Sequence, residues 1–141
     1  MKKIIFLALL LAASGCIVVD HGGPYYPCSG YECNQPSADI QFYWAFELAD
    51  GSATDSCALA GVSTVDITIY RDGYVEFQAL DRPCAEAGGL VTDFYPGHYE
   101  INLVGVCSRR SVTHEGWWTA DIYSGLNDLG TLVLDLIGAC H

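Results

Sequence analysis

Residues 64–79 read TVDITIYRDGYVEFQA, two alternating runs on either side of Asp72-Gly73. Val65, Ile67 and Ile69 alternate with Asp66, Thr68 and Tyr70. Period two is the signature of a strand with one buried face. Arg71-Asp72-Gly73 supplies the turn, because Asp and Gly readily take the positive φ that tight hairpins need. Val75, Phe77 and Ala79 carry the return strand. A lone hairpin is marginal in water, so its apolar face predicts further strands to cover it.

Those strands are legible on both sides. Upstream, Ile40, Phe42, Trp44, Phe46 and Leu48 fall on one face, with Asp39, Gln41, Tyr43, Ala45 and Glu47 on the other. Residues 49–56, ADGSATDS, are turn chemistry. Downstream, 81–89, DRPCAEAGG, read as loop, and a short apolar stretch runs from Leu90 to Phe94. Tyr99, Ile101 and Leu103 alternate with Glu100, Asn102 and Val104 in a further strand. Trp117–Tyr123 and Thr131–Ile137 read as the last two. No stretch shows a capped helical repeat. The expectation is an all-β fold, a single β-sandwich of six to seven strands.

The stretch 60–77, AGVSTVDITIYRDGYVEF, followed by 88–106, GGLVTDFYPGHYEINLVGV, resembles prealbumin-like, carboxypeptidase regulatory-type domains. Those domains pair a V-x-I-x-I strand with a later strand opening P-G-x-Y-x-[VI]-x-[LV]. Here the second element is Pro96-Gly97-His98-Tyr99-Glu100-Ile101-Asn102-Leu103. The resemblance implies a Greek-key sandwich of prealbumin or immunoglobulin type. It also implies a non-catalytic accessory role, since such domains carry no peptidase chemistry.

The N-terminus reads MKKIIFLALLLAASGC. Lys2 and Lys3 precede an apolar run from Ile4 to Ala13, too short for the roughly 20 residues of a bilayer-spanning helix. It has the architecture of a signal peptide. With Ala13-Ser14-Gly15-Cys16 it resembles a bacterial lipoprotein signal, although Ala13 stands where that family prefers Leu. The resemblance implies cleavage before Cys16, lipid on its sulfur, and a partner in the membrane itself. Ile17 is not the aspartate associated with inner-membrane retention, which points to the outer membrane, on its periplasmic or surface face. The expected organisation is a signal peptide over 1–15, a Gly/Pro/Tyr-rich tether over 16–38 and a sandwich domain over 39–141.

The whole chain has 141 residues and a net charge of −11. Cleavage would remove both lysines, leaving four arginines against 17 acidic residues, or −13. Nucleic-acid binders cluster Lys and Arg to displace counterions, so that partner class is excluded. Seven cysteines is an odd count for an exported chain. With Cys16 lipidated, six remain and read as a disulfide framework. Cys57 and Cys84 flank the hairpin at its open end and should meet there. Cys28 and Cys33 are close in sequence and pair locally. Cys107 and Cys140 pair by elimination.

Catalytic patterns are missing. Gly61-Val62-Ser63-Thr64-Val65 lacks the second glycine of a nucleophile elbow. His114-Glu115-Gly116-Trp117-Trp118 lacks the second histidine of a zinc-peptidase helix. His21, His98, His114 and His141 are scattered and read as surface or turn residues. Asp50 and Asp55 read as a solvated turn, so no metal and no cofactor is expected. The leading expectation is a lipid-anchored envelope protein with a non-catalytic structural or binding sandwich and an unidentified protein or glycan partner. One alternative is a carbohydrate-recognition module using exposed aromatics. Trp117 and Trp118 point to opposite faces, one inward and one outward, and Tyr43 and Tyr123 would extend the outer platform. The other alternative is a secreted hydrolase with dispersed carboxylates.

Overall fold

A computed structural model describes residues 37–141. The signal segment, Cys16, Cys28, Cys33 and the tether up to residue 36 lie outside the described residues. The chain runs β1 (Ala38–Glu47), β2 (Ala53–Thr54), α1 (Cys57–Ala60), β3 (Thr64–Arg71) and β4 (Tyr74–Pro83). It continues through β5 (Gly88–Phe94), β6 (Gly97–Val106), β7 (Val112–Ile122) and β8 (Gly125–Leu136). The fold is all-β, as the alternation predicts.

The hairpin at Asp72-Gly73 forms as read, with both residues at positive φ. Its strand β3 also pairs antiparallel with β6, setting Ile67 opposite Leu103 and Ile69 opposite Ile101. β6 in turn pairs with β7, giving one sheet in the order β4-β3-β6-β7. The other sheet is built around β1. On one edge β1 pairs antiparallel with β5 and, further along, with β2. On its other edge it pairs parallel with β8. The two sheets are continuous only where His114 faces Leu136 and Glu115 faces Asp135.

Their inner faces share one core. Ile40, Phe42, Trp44 and Phe46 of β1 meet Val65, Ile67 and Ile69 of β3 and Tyr99, Ile101 and Leu103 of β6. Phe94 of β5 packs edge-on against Tyr99 of β6 at 5.3 Å and against Phe77 of β4 at 6.4 Å. The Trp44 indole N–H donates to the Cys84 carbonyl at 3.1 Å, satisfying its one polar atom inside the core. Each fully buried aliphatic or aromatic side chain contributes about 1.5–3 kcal/mol.

Among the described residues two disulfides hold the sandwich, Cys57–Cys84 and Cys107–Cys140. The first joins α1 to the short 3-10 turn after β4, at the open end of the hairpin. It closes a loop of 27 residues in separation, which stabilises by about 3–4 kcal/mol in the chain-entropy model. The second ties the C-terminal segment to the end of β6.

Several boundaries depart from the sequence expectation. β4 extends to Pro83 through residues read as loop, because Thr64 and Val65 give it partners there and Asp81 takes a positive φ. The loop shrinks to the turn at Cys84–Glu86, and Gly88 already opens β5. β7 begins at Val112 and β8 at Gly125, each several residues earlier than the alternation indicates. The β8 entry, GLNDLG, is turn-like in composition. It is accommodated by a register shift opposite Gln41 and Tyr43 and by Gly130 at positive φ. Tertiary pairing overrides propensity in both strands. Ala38 is already the first residue of β1 and is fully buried. β2 raises the count among the described residues to eight strands, one more than the upper expectation.

Candidate binding face and its surroundings

The four aromatics expected to form a platform occupy four environments. β7 places Trp117 and Trp118 on opposite faces, as alternation demands. Trp118 turns inward and packs on the core. Its ring lies over Gly116, where an added Cβ would sit 2.1 Å from the indole. A residue with a side chain at 116 cannot coexist with this ring position. Trp117 turns outward and is 56% exposed. Tyr43 lies on the outer face of the other sheet, where it hydrogen-bonds Gln41. Gln41, Tyr43, Glu86 and Leu90 there border a shallow depression of about 250 Å³. Tyr123 follows β7, 70% exposed, with its backbone N–H and carbonyl held by the Asn127 side chain at 2.9 and 2.6 Å.

Trp117 has a partner that the sequence reading did not single out. Tyr70 of β3 stacks on it with centroids 5.7 Å apart and planes 23° apart. The two belong to strands on either side of β6, so the pair spans that strand diagonally between Glu100 and Asn102. Asn102 is consequently only 7% exposed, and neighbouring Thr68 only 6%, although both are on the outer side of the sheet. Asn102 donates to the Glu115 carboxylate and to the Gly116 carbonyl, both at 3.2 Å. The Trp117 indole N–H donates to the same Glu115 oxygen at 2.9 Å. Gln78 donates to Thr68 at 3.4 Å. Register aligns Gln78, Thr68, Asn102 and Trp117 in one row across four strands.

The face is acidic around this row. Asp66, Glu100 and Glu115 share it, and at its end His98 pairs with Asp121 at 2.8 Å. The nearest arginine in sequence, Arg71, reaches instead over the Tyr99 ring, 5.8 Å from its centroid. Arg82 pairs with Glu86. Tyr70 was legible as an outward position of the Val65-Ile67-Ile69 alternation. Its meeting with Trp117 depends on β6 lying between their strands, which no local pattern encodes.

His114 corrects a second expectation. It is a core residue, 1% exposed, not a surface or turn residue. Nε2 donates to the Glu47 carbonyl at 3.0 Å, Nδ1 lies 3.0 Å from the Thr113 hydroxyl, and the ring meets Phe46 edge-on at 5.3 Å. Gly105 opposite it leaves room for its Cβ. Glu47, His114, Leu136 and Cys140 border a second depression, of about 280 Å³.

At the turn after β1, the Asp50 carboxylate accepts from the Ser52 hydroxyl at 2.6 Å and its N–H at 2.9 Å. Those bonds hold its pKa below the usual carboxylate value. Burial pushes the Tyr99 phenol up, against the influence of Arg71. Its O–H donates to the Tyr95 carbonyl at 2.7 Å. Among the described residues no group of three His, Cys, Asp or Glu converges as a metal site, and no helix is long and apolar enough to cross a membrane.

No protein-family model matches the chain, and no curated protein matches it. Among solved structures, a leucine-rich repeat protein from Bacteroides thetaiotaomicron VPI-5482 is similar over 72% of this chain, at 12% identity and a TM-score of 0.37. This chain spans 12% of that protein's length.

Proposed function

We propose that this chain is a non-catalytic binding module of the cell envelope, carried on the outer membrane by lipid attached to Cys16. The carrying observation is the outer face of the β4-β3-β6-β7 sheet. An exposed indole there is braced by Tyr70 and hydrogen-bonded to Glu115, so a contact group is held in place before any partner arrives. Two disulfides support an oxidising compartment for maturation. The pairing of β3 with β6 supports the prealbumin-like, Greek-key reading, because it sets the V-x-I-x-I strand beside the P-G-x-Y strand.

The signal resemblance is the ground for the anchor, and physical chemistry gives the strength it would have. One acyl chain holds a protein only marginally, whereas two or more make attachment stable. The experiment is metabolic labelling with a palmitate analogue, comparing the wild type with Cys16→Ser. The wild type should carry label and sediment with membranes, and the variant should lose both. An unlabelled wild type would overturn the anchor.

A further inference from the structure

The row Gln78-Thr68-Asn102-Trp117 has three properties that together select a ligand. First, it is a polar row crossed by an aromatic pair, which covers Asn102 and Thr68 and leaves Gln78, Glu100, Glu115 and Thr119 around its margin. Both donors and acceptors lie beside the indole. Glu115 takes two hydrogen bonds on one oxygen, which leaves its other oxygen to a ligand. Glu100 and Thr119 face each other in register alongside, both exposed. Second, the fixed charges are carboxylates, Asp66, Glu100 and Glu115, so an anionic ligand is repelled. Third, the Tyr70 and Trp117 rings are 5.7 Å apart, within the separation of a direct aromatic pair. They touch each other and leave no slot between them, as an aromatic cage for a quaternary ammonium would need.

The geometry points to a neutral oligosaccharide as the ligand of this face. One pyranose ring lies with its C–H side on the open face of Trp117, and hydroxyls of the following rings bond to Glu115, Glu100 and Gln78. Four strands at the usual spacing put Gln78 about 14 Å from Trp117. That span suits a short chain of sugars and leaves a monosaccharide with only part of the contacts. This inference rests on the binding-module reading and names its ligand class. It replaces the expected platform of Trp117, Trp118, Tyr43 and Tyr123 with Trp117, Tyr70 and the polar row between β4 and β7.

The test uses the full mature chain in a sugar-free detergent. The readouts are the Trp117 indole N–H resonance and tryptophan fluorescence. The probes are cellohexaose, maltohexaose and chitohexaose, with a heparin hexasaccharide and choline as charged controls. At least one neutral hexasaccharide should shift the Trp117 signal saturably while the Trp44 signal stays in place. Trp117→Ala should weaken that binding tenfold or more and Tyr70→Ala threefold or more, with far-UV circular dichroism unchanged. If one variant misfolds, the other decides. Absence of any shift with all three neutral probes overturns the inference. So does a response only to heparin or choline, or full affinity in the folded variants. Failure of the lipid label leaves sugar binding standing, and a labelled chain that binds none of the three sugars sinks this inference alone.

Discussion

Trp117 and Trp118 are neighbours in sequence with opposite roles. Trp118 lies on the inner face of its sheet over Gly116, packed on the core. Trp117 lies on the outer face, more than half exposed, braced by Tyr70 and bonded to Glu115. The inner face is closed by shape, since an atom added at Gly116 collides with a ring. The outer face is organised by hydrogen bonds and one aromatic stack, and it leaves surface free. The same residue type therefore packs on the core on one side of β7 and, in the role proposed for it, meets a ligand on the other.

Substitutions should separate these roles, beginning where the effect is largest. Trp118→Ala should cost about 3 kcal/mol of stability, because it removes transfer energy and leaves a void. Urea unfolding followed by circular dichroism measures it, and a cost under about 1 kcal/mol would break the contrast between the faces. Gly116→Ala should cost about 2 kcal/mol, since the new methyl must displace the Trp118 ring. Pairing it with Trp118→Ala should relieve most of that cost, which a double-mutant cycle detects.

Tyr99 sharpens the inner side in another way. Its phenol has a raised pKa because burial disfavours the anion. The unfolded chain then releases the proton first as pH rises, so the folded state binds more protons above about pH 10. Stability from this group is complete below that pH and is lost as pH climbs toward the folded value. Unfolding midpoints across pH 8–11 should show an alkaline decline that is reduced in Tyr99→Phe. The smallest effect is expected outside. Trp117→Ala should cost within about 1 kcal/mol, the worth of one aromatic pair at a partly exposed site. A loss as large as that of Trp118→Ala would make Trp117 a structural residue and remove the contrast.

Much of the inner face was readable in advance. Alternation places Ile40, Phe42, Trp44, Phe46, Val65, Ile67, Ile69, Tyr99, Ile101 and Leu103 inward, and all are buried, whereas Leu48, placed with them, lies past the end of β1 and is half-buried, and Ala45, placed opposite, is buried. The signal is strong because one buried face imposes period two on any strand. The hairpin and the Cys57–Cys84 pair were legible for a related reason, since a turn fixes which distant residues face each other, whereas Cys107–Cys140 followed by elimination. The outer face was less legible. Tyr70 and Trp117 lie 47 positions apart in sequence, and nothing local says that β6 sits between their strands. His114 was misread because its partners, the Glu47 carbonyl and the Phe46 ring, come from a strand of the other sheet.

Taken alone, the sequence determined the secondary-structure class, the apolar side of most strands, the acidity and the pairing Cys57–Cys84. These depend on the period of side chains and on turn chemistry, which act over a few residues or one hairpin. Only the tertiary structure decided the order β4-β3-β6-β7, the parallel pairing of β1 with β8, the burial of His114 and the stack of Tyr70 on Trp117. These depend on which strands become neighbours, and that choice is made by the fit of whole inner faces in one shared core.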